Sequence, residues 1–408
     1  MTWARPEQML LEAITEAVRG SCVRWEAPIE EKDWALFFRL AQQQKLLPAV
    51  CQAVYACPAA AQSGSFAACR KQAILQAAEQ AVKTDAFLSL YGRMEDAGFH
   101  PLVVKGLVCR SLWPQSDTRI SGDEDLLIPE NEFSACCDWL KQNGMFSAAQ
   151  SPDAFEIGWH STEGPLTVEL HRALFPPDSD ALSRMNVFFA DARARAYRFP
   201  VEGGAEILTL CPHDHLLYLL LHACKHFIHS GFGIRQVCDI GLFAARYASN
   251  IDWHRLSLQC ADVQAFSFAV SVFRIAREVL GISWALPAEW TVPEVDCVPM
   301  LQDLLAGGIY GTADKTRQHT ASVTLHAVEA QYSGACGGLR STLFPPRAKL
   351  TGRYPVLRSH PVLLPFCWVH RLACYGAETL RTDSDSAADS LRLAELRKKL
   401  LRQYGILS

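Results

Sequence analysis

Four short β-prone runs lie within residues 101–171 of a chain that otherwise reads as helix, and this placement limits the fold more than any other feature. PLVVKG (101–106) and EDLLIP (124–129) are apolar runs stopped by Gly or Pro. FEIGWH (155–160) and LTVELH (166–171) are separated by STEGP, whose Gly-Pro step predicts a hairpin. Helical patterns fall between them at 107–113 and 130–143, the second ended by Gly144. Strands interleaved with helices predict a small α/β or α+β sheet domain over residues 96–205.

The flanks predict helices. Residues 1–95 carry Met9, Leu10, Ile14 and Val18 at helical spacing, a second segment opening at Asp33 or Trp34 (WALFFRLAQQQKLLPAVCQAV), and a long Ala/Gln-rich segment at 66–92. A helical region spans 206–330, with HDHLLYLLLHACKHFIH, IRQVCDIGLFAARYA and a third helix capped by Asp252. Asp33-Trp34 and Asp252-Trp253 read alike, as an N-cap followed by an anchoring aromatic. Residues 331–408 begin irregularly, with Gly337, Gly338, Pro345, Pro346, Pro355, Pro361 and Pro365. They then carry PFCWVHRLACYGAETLRT, a Ser/Asp-rich linker or cap, and a charged helix at 389–403.

Composition excludes several classes of protein. The 408 residues include 39 Lys plus Arg and 43 Asp plus Glu, a net charge of −4, so no broad nucleic-acid surface is expected. No apolar stretch is long enough to span a bilayer, so no membrane partner is expected. The 15 cysteines form no CxxC pair, and MTWARPEQML has no secretion-signal pattern. Buried thiols in a reducing cytoplasm are the expectation. In the vicinal pair Cys136-Cys137, one thiol is expected to be buried and the other partly exposed.

Chemistry concentrates at residues 102–128. A strand leads into Lys105-Gly106, then a helix, then Arg119, then Asp123-Glu124-Asp125 at the head of another strand. Alternation puts Asp123 and Asp125 on one face and Glu124 on the other. Two carboxylates so placed need a cation, and a divalent oxygen-seeking metal answers that need. Glu169 in LTVELH offers a third acid. Gly106 before a helix offers backbone N–H groups to phosphate, with Lys105 and Arg119 as nearby cations. An acidic pair at a strand start also occurs as a plain solvated edge.

The order VKG (104–106), Arg119, DEDLLI (123–128) and VELH (168–171) resembles the nucleotidyltransferase superfamily related to DNA polymerase beta. It is closest to a bacterial branch labelled nucleotidyltransferase family protein. The segments DWALFFRLAQQQKLLP, HDHLLYLLLHACKH, IRQVCDIGLF, IDW and LFPPRAKLTGRYP resemble that branch in order, so the likeness covers most of the chain. The resemblance implies a short mixed sheet flanked by helices, and two metals (Mg²⁺ or Mn²⁺) held by Asp123, Asp125 and Glu169. It also implies transfer of a nucleoside monophosphate from an NTP to an acceptor, which could be a small molecule, peptide, protein or RNA, with pyrophosphate released. Two departures stand out. Lys105-Gly106 replaces the superfamily's Gly-Gly or Gly-Ser, and Glu124 replaces the branch's apolar residue.

His222 and His226 lie four apart on one helix face, with Lys225 between them as a candidate phosphate cation. HACKH lacks the Glu of HExxH, and hydrogen-bonded histidines at a helix end are the plainer reading. A histidine-based metallohydrolase is one competitor; a nucleotide-binding module without turnover is another. His171 shares a strand face with Glu169 and could orient that acid, meet a phosphate or be structural. Arg235 and Asp239, also four apart, read as an ion pair.

Overall fold

The computed structural model describes residues 3–26, 28–147, 154–309, 315–332, 344, 347–350, 354–381 and 385–408. Residues 343, 345, 346 and 351–353 of LFPPRAKLTGRYP, and Gly337-Gly338, lie outside the described residues. Among the described residues, one mixed sheet of seven strands stands within a mostly helical chain, so the fold is α+β. The strands are β1 (Leu102–Val103), β2 (Glu124–Leu127), β3 (Met145–Phe146), β4 (Glu156–Ser161), β5 (Thr167–His171), β6 (Tyr197–Pro200) and β7 (Glu206–Thr209). Their order across the sheet is β3-β4-β5-β2-β1-β7-β6.

The four sequence runs became β1, β2, β4 and β5. The predicted hairpin is present: β4 and β5 pair antiparallel and Ser161 N donates to Leu166 O. β2 pairs with β5 in parallel and with β1 antiparallel. Sequence reading missed β3, β6 and β7, which are two to four residues long and lack a strong apolar run. β7 extends the sheet beyond residue 205 and pairs in parallel with β1.

The N-terminal region is helical at Arg5–Arg19, Glu31–Gln43, Leu47–Val54, Pro58–Ala61 and Gly64–Asp96. One expected helix is two. Lys45 adopts a left-handed backbone (φ 52°), and Pro48 cannot donate the N–H a continuous helix would need there. Pro48 instead sits in the first turn of the second helix, where it is tolerated. Asp33 lies inside Glu31–Gln43 and does not cap it, whereas Asp252 caps Trp253–Asp262 by accepting from Arg255 N at 2.9 Å. Of the helix expected at 107–113, only Leu107–Arg110 is helical, and turns follow before Pro114. The helix expected at 130–143 is Glu130–Gln142, and the terminal helix starts earlier than expected, spanning Asp385–Gln403.

Buried apolar residues from Met9 to Leu407 form one connected core, with Leu350, Leu357 and Cys367 a separate small cluster. Polar clamps tie the helices to the sheet and its neighbours. Tyr91 OH donates to Pro101 O (3.1 Å) and accepts from Leu208 N (2.8 Å), tying the start of β1 to the body of β7. Gln80 Oε1 accepts from Ser121 N at 2.7 Å and holds the loop that enters β2. Gln44 donates to Leu304 O (2.8 Å) and accepts from Ile234 N (2.9 Å), joining the N-terminal helices to the region after the sheet. No described helix is long and apolar enough to cross a membrane. The described cysteines are free. Cys136 is buried and Cys137 partly exposed, as expected, and burial pushes the Cys51, Cys109 and Cys224 thiols up to about 12.

Candidate active site

The parallel register of β2 and β5 places Asp125 beside Glu169 and Leu127 beside His171. Paired residues in register share a face, so Asp125, Glu169 and His171 converge. One ligand atom from each lies within 4.8 Å of the others. His171 Nε2 is 3.4 Å from Asp125 Oδ1 and 3.6 Å from Glu169 Oε2. Asp123 is half-buried just ahead of β2 and is not part of this three-residue group.

Charge is balanced locally. Burial opposes ionisation of Asp125, yet Lys105 and His171 hold its carboxyl below the usual range, with Lys105 Nζ 2.9 Å from Oδ1. Burial likewise opposes a charged His171, but its contacts with Asp125 and Glu169 raise the ring to about 9. Burial, and then the neighbouring charge on Asp125, pushes Asp123 up to about 6.

Glu124 points the other way, as alternation requires. Its Oε1 pairs with Arg110 at 2.5 Å, and its Oε2 accepts from Leu107 N at 2.8 Å. Gly106 (φ 46°) exists for this contact, because a Cβ there would lie 1.9 Å from Glu124 Oε2. Here the structure differs from the sequence expectation. The first N–H after Gly106, expected to face phosphate, is already bound by a carboxylate, and the helix it opens has only four residues. Arg119 is also engaged elsewhere. Its Nε and NH2 donate to Asp239 Oδ1 (3.2 Å) and Oδ2 (2.6 Å), and Trp113 Nε1 donates to Oδ1 (2.9 Å). The expected Asp239 ion pair therefore forms across the fold with Arg119, while Arg235 donates to Ile120 O.

The histidine-bearing helix Pro212–His229 runs against this face. His222 Nε2 lies 3.3 Å from Lys105 Nζ and 3.0 Å from His226 Nε2, and His222 Nδ1 lies 3.2 Å from Tyr218 OH. Burial first, and nearby cations second, hold His222 and His226 well below the usual histidine range, so both rings are neutral. This network is consistent with His222 Nδ1–H donating to Tyr218 and Nε2 accepting from Lys105. The histidines are hydrogen-bonded, as the plainer reading held, and they also orient a cation of the carboxylate cluster. They do not enter the metal-capable group.

Two site residues escaped the sequence reading. Glu156 pairs in register with His171, and its Oε2 lies 3.6 Å from His171 Nδ1. Numbering the hairpin register outward from STEGP would have found it. Lys45 Nζ reaches within 3.6 Å of where a Gly122 Cβ would stand, and no local sequence signal gives that.

The donor set suits a divalent cation. Asp125 Oδ2 and both His171 ring nitrogens are buried without a hydrogen bond among the described residues. Two carboxylates and an imidazole are hard-to-borderline ligands of the kind such ions take. No curated protein matches the chain. The sequence profile of a family described as "Uncharacterised nucleotidyltransferase" matches residues 30–281, which includes every residue of the carboxylate cluster, the Lys105 turn and the histidine helix. The chain belongs to that family of nucleotidyltransferases.

Proposed function

We propose that the protein transfers a nucleoside monophosphate from an NTP to a hydroxyl-bearing or similar acceptor, with release of pyrophosphate. The observation that carries this reading is the in-register pair Asp125 and Glu169, with His171 beside them. Asp125 and Glu169, joined by Asp123 from the preceding loop, would hold Mg²⁺ or Mn²⁺. The ions, when bound, would neutralise the phosphates and stabilise charge on the attacking and leaving oxygens. In the reaction the acceptor oxygen forms a bond to the α-phosphorus as the α–β phosphoanhydride bond breaks. Glu169, the more exposed acid, faces the side open to the acceptor and accepts its proton. Across from it in β4 is Gly158, where an added Cβ would meet nothing within 4 Å, so the face beside Glu169 has room for an acceptor. His171 orients both acids, and Lys105 holds Asp125 in place. The flanking helical regions, 1–95 and 206–330, close over the 96–205 sheet region and select the acceptor. The free thiols favour a reducing compartment such as the cytoplasm.

The test is incubation with each labelled NTP, Mg²⁺ or Mn²⁺ and cell extract. Wild type should transfer label, and the Asp123→Ala/Asp125→Ala double variant should not. Equal transfer by both would refute the proposal.

A further inference from the structure

The carboxylate cluster accounts for metal binding but leaves the triphosphate without an obvious host. The turn expected to supply backbone N–H groups has its first one bound by Glu124, and a side chain at Gly106 would collide with that carboxylate. Arg119, the expected second cation, is 2% exposed and forked onto Asp239. An NTP brings about four negative charges, and the cations that remain must face the acids from another element.

The helix Pro212–His229 provides one, Lys225. His222 reaches Lys105 at 3.3 Å and His226 touches His222 at 3.0 Å, so the face carrying residues 222 and 226 looks onto the sheet's acidic face. Lys225 is three residues from His222 on the same turn of that face. Its side chain is only partly exposed, and it makes no hydrogen bond or ion pair among the described residues. Burial lowers its pKa, and the charges that act on it besides are those of the site: Glu156, Lys105, Asp125 and Glu169. His222 and His226 flank it as neutral rings, so neither can serve as its counter-anion.

Building on the transferase reading above, we propose that Lys225, together with Lys105, forms the subsite for the triphosphate chain. Phosphate recognition is thereby moved from the Gly106 turn to the helix that follows the sheet. The ligand class is a linear tri- or diphosphate, either on a nucleotide or as the pyrophosphate product. Lys105 anchors the end nearest Asp125, held by His222. Lys225 meets the oxygens further along the chain, where an unpaired ammonium gains charge-assisted hydrogen bonds on binding. His226 bridges the two ends by fixing His222.

The experiment measures affinity by calorimetry with three probes: inorganic tripolyphosphate with Mg²⁺, each NTP with Mg²⁺, and Mn²⁺ alone. The proteins are wild type, Lys225→Met, Lys225→Gln and Lys225→Arg, each checked for native far-UV circular dichroism and thermal unfolding. Loss of one charge-assisted contact predicts that Met and Gln weaken tripolyphosphate and NTP binding by about ten- to a hundredfold. Arg should stay close to wild type, and Mn²⁺ alone should bind all four proteins equally. The proposal is overturned if Met and Gln bind tripolyphosphate and NTP as wild type does. It is also overturned if wild type binds metal–NTP but not tripolyphosphate, since recognition would then rest on the nucleoside. Absence of any metal-dependent NTP binding by wild type would instead remove the transferase reading itself, and the subsite with it.

Discussion

The buried Arg119–Asp239 pair offers the sharpest test of how the sheet is held to the helices behind it. Asp239 receives two hydrogen bonds from Arg119 (3.2 and 2.6 Å) and one from Trp113 (2.9 Å), and both charged residues are at most 3% exposed. Asp239→Asn keeps the shape and the Trp113 contact but leaves the guanidinium buried without its counter-charge. Breaking such a pair from one side costs about 3–5 kcal/mol. With an unfolding entropy of roughly 2 cal/mol/K per residue, a chain of 408 residues unfolding as one unit would lose about 4–6 °C in Tm. Replacing both partners with apolar residues, Arg119→Met with Asp239→Leu, removes the uncompensated charge. It should therefore cost less than the sum of the single changes, with a coupling of about 2 kcal/mol or more. Urea denaturation of wild type, Asp239→Asn, Arg119→Met, Asp239→Leu and the Arg119→Met/Asp239→Leu double variant gives these numbers. A cost below about 1 kcal/mol for Asp239→Asn, or strict additivity in the double variant, would refute the role of the pair as a buried strut.

Three further predictions rest on separate features. Gly106→Ala should destabilise by several kcal/mol more than Gly98→Ala, because both have positive φ but only the first puts a Cβ against Glu124; comparable Tm losses would count against it. Burial holds His215 down to about 3 in the folded protein, whereas the unfolded chain takes up its proton near 6.5. The stability this contributes is complete above pH 6.5 and declines as pH falls from there toward 3, by about 2 kcal/mol at pH 5. His215→Gln should flatten the urea-measured change between pH 7 and 5 by that amount, and an unchanged slope would be the contrary result. Asp125→Asn and Glu169→Gln should each weaken Mn²⁺ binding by about tenfold or more, measured by electron paramagnetic resonance, while the exposed Glu130→Gln should not.

The acids were legible in the sequence because strand alternation is a short-range rule. Glu124 and Asp125 needed only the period of two, and Glu169 needed only the neighbouring ELH run, whereas Asp123, put on the same face by that rule, lies just ahead of β2 and outside the three-residue group. What sequence reading could not give was the partner of each cation. Lys105 finds His222 117 positions away, and Arg119 finds Asp239 120 positions away. Such pairs are set by packing between elements, and no spacing along the chain encodes them. The Gly106 turn was misread for a related reason. A glycine before a helix suits a phosphate and a buried carboxylate equally well, and only the tertiary position of Glu124 decides between them. The short strands β3, β6 and β7 were lost because two to four residues carry too little periodicity to stand out.

Strand β1 has a further consequence, for synthesis of the chain. Val103 pairs with Thr209, whose hydroxyl donates to Val103 O at 2.5 Å from 106 positions downstream. At ordinary translation speeds of about 5–20 residues per second, roughly ten seconds separate the two from emergence at the ribosome. During that interval the acids of β2 and β5 have been made, but β7, one of the two neighbours of β1, is missing and the helix bearing His222 is absent. A nascent chain thus has Lys105, the acids and His171 well before it has His222, His226 and Lys225, so the helix-borne side of the site is the last to be supplied.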